Sequence, residues 1–251
     1  MVNLELGELN RVRTGIDGLD DLIEGGFPRG SNIVVTGTAG SGKSIFGMNF
    51  IAQGCMNGEK CLYITVEQAP ERIVNQARQF NWDFEQWEKN GTLRVVSLNP
   101  QQVFDRTPLQ DIKKQLLDDK YERVVIDSIT TIVTAPFSTS SVMDLADRGL
   151  GPRTLVEMIR AEVIALIDFL QSHGITTVVI SQKVDGMPGD TYDTVSEFKG
   201  DGLIMLSSLD MGEDLRRVIQ VKKLRETRIN GSKHDFDFTD NGISIMKSGE
   251  V

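Results

Sequence analysis

Gly37-Thr38-Ala39-Gly40-Ser41-Gly42-Lys43-Ser44 is a complete GxxxxGK[S/T] pattern, the phosphate-cradling P-loop. Its flanks support the reading. Ser31 to Thr36 is a buried-strand run, and Ile45, Phe46, Met48, Phe50 and Ile51 suit a helix packed on a sheet. Glycines let backbone N–H groups turn inward onto phosphate oxygens, and the following helix offers its positive end to the same anion. Lys43 would reach the β and γ phosphates of a bound nucleotide. The Ser44 hydroxyl would be one ligand of Mg²⁺.

Working outward, 251 residues suffice for one α/β domain with a full core and are few for two. The formal charge of −9 does not favour a nucleic-acid footprint over the whole surface. Cys55 and Cys61 are too few for a disulfide framework and read as buried, reduced thiols. The first residues lack the basic start and apolar stretch of a signal peptide, and no apolar run approaches membrane-spanning length. A cytoplasmic protein without membrane attachment is expected.

Along the chain, Cys61 to Val66 reads as a second buried strand, ending at Glu67. Pro70 opens a helix with Ile73, Val74, Ala77 and Phe80 on one face. A short amphipathic piece around Phe84 and Trp87 precedes a strand from Leu93 to Leu98, and Thr107-Pro108 opens a helix with Leu109, Ile112 and Leu116 inward. Val124-Val125-Ile126-Asp127 is an apolar strand ending in a carboxylate, read as holding the Mg²⁺ shell from the strand next to the P-loop strand. Thr130 to Pro152 reads as a long polar segment, with an insertion over about 134–151. A loop of that length is uncommon in a compact domain unless it serves a partner or a pore. Leu155, Ile159, Val163, Leu166 and Leu170 stripe the next helix, and Thr176 to Ser181 is a strand ending at Gln182. Leu203–Leu206, Arg217–Val221, Asp235–Phe238 and Ile243–Met246 read as antiparallel hairpins that finish the chain.

Taken together, the motif Thr14-Gly15-Ile16-Asp17-Gly18-Leu19-Asp20, the P-loop, Gln76 to Asp83, Val125-Ile126-Asp127-Ser128, Lys223-Leu224-Arg225 and Phe238-Thr239-Asp240-Asn241-Gly242-Ile243 resemble a single-domain member of the KaiC family of RecA-like ATPases. The resemblance covers nearly all of residues 1–251 outside the insertion. It implies a RecA-like P-loop core with a mostly parallel sheet flanked by helices, and a homo-oligomer, usually a hexameric ring, with ATP at subunit boundaries. Glu67 matches the glutamate that activates the attacking water, although Gln68 stands where a second acid is usual. Gln182 matches a γ-phosphate sensor, and Ser44 and Asp127 the metal positions. Nucleotide contacts are implied for Thr38, Ala39, Gly40, Ser41, Gly42, Lys43, Ser44, Ile45 and Gln79, and for Lys223, Leu224, Arg225, Thr227, Thr239 and Asp240. Lys223 and Arg225 match the pair projected into the adjacent subunit's site, and residues two apart on a strand share a face. Ile229 stands where the family has histidine, and Glu226 where it often has glycine. Clock members carry a Ser-Thr phosphorylation pair where this chain has Glu197-Phe198, so a timekeeping role does not carry over.

The leading function is therefore Mg²⁺-dependent ATP binding and hydrolysis by a ring whose conformation reports nucleotide state to a regulatory protein partner that the sequence does not identify. One alternative is a recombinase paralogue binding DNA through the loops after Asp127 and Gln182. Between Lys183 and Gly200, however, two lysines face four carboxylates, and phosphate contacts need cations. The other alternative is a nucleotide-sensing scaffold with little turnover, which Gln68 leaves open.

Overall fold

In the computed structural model, which describes residues 10–98, 114, 116, 119–134, 152–183, 190, 191, 199–210 and 215–246, the chain folds around β3 (Asn32–Gly37), whose six residues are all buried. Such a continuous apolar run suits a parallel strand covered on both faces. Two short strands, β1 (Arg11–Val12) and β2 (Phe27–Pro28), pair beside it, with α1 (Leu19–Leu22) between them. The P-loop leads from β3 into α2 (Lys43–Met56), and β4 (Cys61–Thr65), α3 (Pro70–Arg78), α4 (Phe84–Lys89), β5 (Leu93–Ser97) and β6 (Arg123–Asp127) follow. Next come α5 (Ile129–Thr134), α6 (Pro152–Ser172), β7 (Thr176–Gln182), β8 (Gly202–Asp210), β9 (Leu215–Leu224), β10 (Lys233–Thr239) and β11 (Gly242–Ile245). One nine-stranded sheet has the order β11-β10-β9-β8-β3-β7-β6-β4-β5. It is parallel from β5 to β8 and antiparallel from β8 to β11.

Successive strand residues point to opposite faces, so the sheet carries two cores. Ile33, Val35, Tyr63, Val125, Ile180, Ile204 and Ile219 pack beneath α2, where Phe46, Met48, Phe50 and Ile51 are buried. On the other face Leu62, Ile64, Val124, Ile126 and Val179 meet Ile129 and Ile132 of α5 and Leu166, Ile167 and Leu170 of α6. The expected face of α3 is present, with Ile73, Val74 and Ala77 buried and Pro70 in the first turn. Asn49 of α2 closes the fold end to end: its amide donates to Gly15 O at 2.8 Å and its Oδ1 accepts from Ile243 N at 3.0 Å.

Three readings change. Thr130 to Thr134 belongs to α5 and not to a loop; Ser128 Oγ accepts from Thr131 N at 3.3 Å, an N-cap bond. The buried pair Ile129 and Ile132 overrides the poor helix propensity of β-branched residues. Second, β6 is not next to β3, because β7 lies between them. Third, β8, β9 and β10 are longer than their apolar cores suggest, since charged ends such as Arg216, paired with Asp235, continue the ladder, while β11 has the expected length shifted by one residue. The helix opened by Thr107-Pro108 lies outside the described residues except at its end, where Leu116 is buried; the insertion at 135–151 lies outside them too. Cys55 and Cys61 are free and buried. Among the described residues no helix is long and apolar enough to cross a membrane.

Among the described residues the largest fully buried side chain is Arg123, at the start of β6. It pairs with Glu59, donates to Arg13 O and Phe50 O at 2.7 and 3.0 Å, and lies 4.7 Å from the Phe50 ring centroid. Removing one member of a buried pair leaves the other charge uncompensated. Arg29 also reaches Glu59 at 3.6 Å, which softens the loss. Arg123→Ala should therefore lower stability by about 3 kcal/mol, read as a fall in the urea midpoint with unchanged m-value; a midpoint equal to wild type would contradict this account of the core.

Candidate functional site

Parallel strands deliver their carboxyl ends to one edge of the sheet, and ligands of open α/β sheets bind there. At that edge a cavity of about 260 Å³ is lined by Ala39, Gly40, Gly42, Lys43, Ser44, Ile45, Glu67, Gln76, Asp127, Ser128, Ile180, Gln182 and Phe238. Five strands contribute: β3 through the P-loop, β4 through Glu67, β6 through Asp127, β7 through Gln182 and β10 through Phe238. Gly42, the N-cap of α2, has φ 97° and Gly40 has φ 75°, left-handed backbone that glycine adopts without a Cβ penalty. The first N–H groups of α2, which lack carbonyl partners within the helix, open beside this cavity.

Lys43 is buried and its Nζ donates to Thr38 O at 2.6 Å. Burial lowers its pKa, an effect the nearby Asp127 and Glu67 carboxylates oppose. Asp127 is buried as well, and burial raises its pKa above the usual carboxylate value against hydrogen bonds from Tyr63 and Ser44. The Tyr63 hydroxyl donates to its Oδ2 at 2.6 Å. A desolvated carboxylate hydrogen-bonded to the P-loop serine is a donor set that fits a divalent cation. Among the described residues no cluster of three or more His, Cys, Asp or Glu could hold a metal by itself. That fits Mg²⁺, which keeps waters and phosphate oxygens among its ligands and needs only one or two side chains.

Glu67 is the hub of the polar network. Its Oε1 accepts from Ser128 Oγ at 2.7 Å, from Thr131 Oγ1, and from Gln182 Nε2 at 3.1 Å. Gln68 is held by its backbone, which donates to and accepts from Thr65 Oγ1. Sequence reading missed Ser128 and Thr131 as partners of Glu67. The available signal was Ser128 as a helix N-cap with Thr131 three residues on. It also missed Gln76, Ile180 and Phe238 in the lining. Gln76 lies one turn before Gln79, which is exposed at the C-cap of α3. Thr239 and Asp240 follow Phe238 into the β10–β11 turn, and Asn81 Nδ2 donates to Asp240 O at 3.2 Å, tying that turn to the end of α3.

Lys223, Leu224, Arg225 and Thr227 are elsewhere. Leu224 pairs with Gly202, which pairs with Ile33, whereas Gly37 pairs with Leu206. The group therefore stands at the amino end of β3, four residue steps or about 13 Å from the start of the P-loop. Lys223 Nζ donates to Gly200 O at 2.6 Å, Arg225 pairs with Asp201 at 3.0 Å, and the Thr227 hydroxyl receives Arg11 Nη1 at 3.0 Å. Strand alternation alone would turn Lys223 inward with Ile219 and Val221. A register shift between Leu203 and Ile204 makes Lys222 the extra residue of a β-bulge. Leu224 takes the core face instead, and Lys223 is re-aimed to the other side. Glu226 has φ 56°, which accounts for the glycine usual at that position.

The family model described as ATPase: KaiC matches residues 12–146 and 149–250. The chain belongs to the KaiC ATPase family. It is 30% identical to the circadian clock oscillator protein KaiC of Synechococcus elongatus over 99% of this chain and 46% of that relative, so it spans about half the length of such KaiC relatives. It is 28% identical to UPF0273 protein PF1931 of Pyrococcus furiosus, over 97% of this chain and 98% of the relative. Among solved structures it is similar to the KaiC-like protein PH0186 of Pyrococcus horikoshii, with TM-score 0.80, 29% identity, and coverage of 95% of this chain and 100% of that one. The alternation of helices and strands, the parallel core and the antiparallel end are thus those of a KaiC-family domain.

Two loop glycines separate backbone strain from packing in this KaiC-family chain. A Cβ on Gly40 would meet nothing within 4 Å, whereas one on Gly42 would lie 2.8 Å from the Phe238 ring. Gly40→Ala should cost about 1 kcal/mol and Gly42→Ala clearly more. Urea unfolding of both checks this; equal losses would show that the Phe238 ring does not close on the loop.

Proposed function

We propose that this chain is a Mg²⁺-dependent ATPase of the KaiC type, acting as a single domain over residues 1–251 in a closed cytoplasmic ring, usually of six copies, with ATP at each subunit seam. The observation that carries the reading is the separation of two functional groups. Lys43, Ser44, Glu67, Asp127 and Gln182 line one cavity, while Lys223 and Arg225 sit at the other end of the central strand. One copy can serve a nucleotide with the first group and its neighbour's nucleotide with the second. A head-to-tail interface of that kind closes into a ring.

In this scheme the P-loop amides and Lys43 hold the β and γ phosphates, Lys43 exchanging its bond to Thr38 O for phosphate oxygens. Ser44 and Asp127 would hold Mg²⁺, which when bound neutralises charge on those oxygens. Glu67 orients the attacking water and takes its proton. Ser128, Thr131 and Gln182 fix the carboxylate's rotamer, and Gln182, touching Glu67 directly, carries the presence of the γ-phosphate to β7. Lys223 and Arg225 of the adjoining copy stabilise charge on the transferring group, a role worth roughly 10³–10⁵ in rate where it is made by an arginine finger. Nucleotide state then sets ring conformation, which a regulatory protein partner reads.

Glu67→Gln should bind ATP normally and lose turnover by about 10²–10⁴-fold, whereas Lys43→Ala should lose tight binding. Native mass measurement with and without Mg-ATP should show ring closure in the presence of nucleotide. Mixing Glu67→Gln copies with Arg225→Ala copies, each strongly impaired alone but with measurable residual turnover, should restore part of the phosphate release, because some seams then combine two intact halves. Rings that form in the mixture yet stay as impaired as either variant alone would overturn action across the seam.

A further inference from the structure

Arg225 lies just beyond β9 and borders a second, polar cavity of about 310 Å³ that Ser31, Gln171 and Asp201 also line. Its guanidinium Nη1 donates to Asp201 Oδ1 at 3.0 Å. The arginine side chain is 58% exposed and the aspartate 10%. An ion pair with so exposed a partner adds little to stability, so stability does not account for the arm that Asp201 extends to Arg225. What the pair does is restrict a long side chain.

Asp201 is itself held from several sides. Its Oδ2 accepts from Asn32 N and from Gln171 Nε2 of α6, both at 3.0 Å. Its backbone N–H donates to Asn32 O at 2.8 Å, and its carbonyl accepts from Arg225 N at 2.9 Å. One residue therefore grips Arg225 by side chain and main chain, and grips in the same two ways the first residue of β3, whose far end is the P-loop.

We infer that Asp201 is the positioning residue of Arg225: it holds the guanidinium by one arm, leaves the rest of the fork for the neighbouring copy's nucleotide, and ties that finger to the strand that carries its own copy's P-loop. This rests on the reading that Arg225 acts across the seam. An arginine fixed in advance loses less rotamer freedom when it meets a phosphate, and misplacement of such a group by about 1 Å can cost on the order of a hundredfold in rate. Because the contacts Arg225–Asp201–Asn32 end on the first residue of β3, occupancy of one seam biases the next through a strand that is packed on both faces and carries the P-loop at its far end.

The test compares Asp201→Asn, Arg225→Ala and the double variant as full-length rings, reading kcat and KM for Mg-ATP and ring mass under the same conditions. Asparagine keeps an acceptor for Asn32 N–H and removes the charge that Arg225 uses. Asp201→Asn should lower kcat roughly tenfold to a hundredfold with KM and ring mass unchanged, and should have no further effect in the Arg225→Ala background. A wild-type kcat, or an equal additional loss in the Arg225→Ala background, overturns the inference while leaving action across the seam intact. Native turnover in Arg225→Ala rings would instead remove the underlying reading, and the inference with it. Should Asp201→Asn fail to fold, Gln171→Leu, which removes one donor to Asp201 and no backbone bond, is read in the same way: a smaller kcat loss confined to rings with Arg225 supports the inference, and an unchanged kcat overturns it.

Discussion

A strand buried on both faces can offer a ligand only its two ends. That constraint organises this KaiC-family chain. All six residues of β3 are buried between β7 and β8 and between two apolar layers, so no chemistry reaches its middle. At the carboxyl end the chain turns into the P-loop cavity; at the amino end Asn32 meets Asp201, and through it Arg225. The proposed ring rests on this geometry, since it places groups at opposite ends of a strand where one copy can serve its own nucleotide with the first and a neighbour's with the second.

Within the cavity, polar groups are arranged by what burial costs them. Asp127 and Lys43 are both taken out of water, and burial disfavours the charged form of each; hydrogen bonds and the opposite charge oppose that cost. Glu67 is more exposed and is organised by three donors on one oxygen. Two of them, Ser128 and Thr131, belong to the turn and helix that follow Asp127, so the carboxylate after β4 is tied to the start of α5, directly after the carboxylate that ends β6.

How much of this was legible in the sequence differs by residue. The P-loop, the strand ending at Asp127, the amphipathic α3 and the terminal hairpins were readable because each is encoded by local periodicity or by a contiguous motif. Ile129 to Thr134 was not, because β-branched residues speak against a helix locally and only burial of Ile129 and Ile132 under the sheet reverses that. Gln76, Ser128, Thr131 and Phe238 were missed for a related reason: they come from three separate places in the fold, α3, the start of α5 and β10, and no local pattern says that these meet one another or Glu67.

The sequence alone determined that a phosphate-binding loop joins a doubly buried strand to a helix, and that carboxylates end two further strands, since these follow from residue type and spacing along a few residues. The tertiary structure decided where those pieces lie. Strand order put β7 between the P-loop strand and Asp127, and parallel pairing brought Glu67 and Gln182 within 3.1 Å. A single extra residue at Lys222 turned Lys223 out of the core. Such outcomes depend on pairing between segments far apart in the chain, where the free energy of burial is shared by the whole sheet and no single stretch carries it.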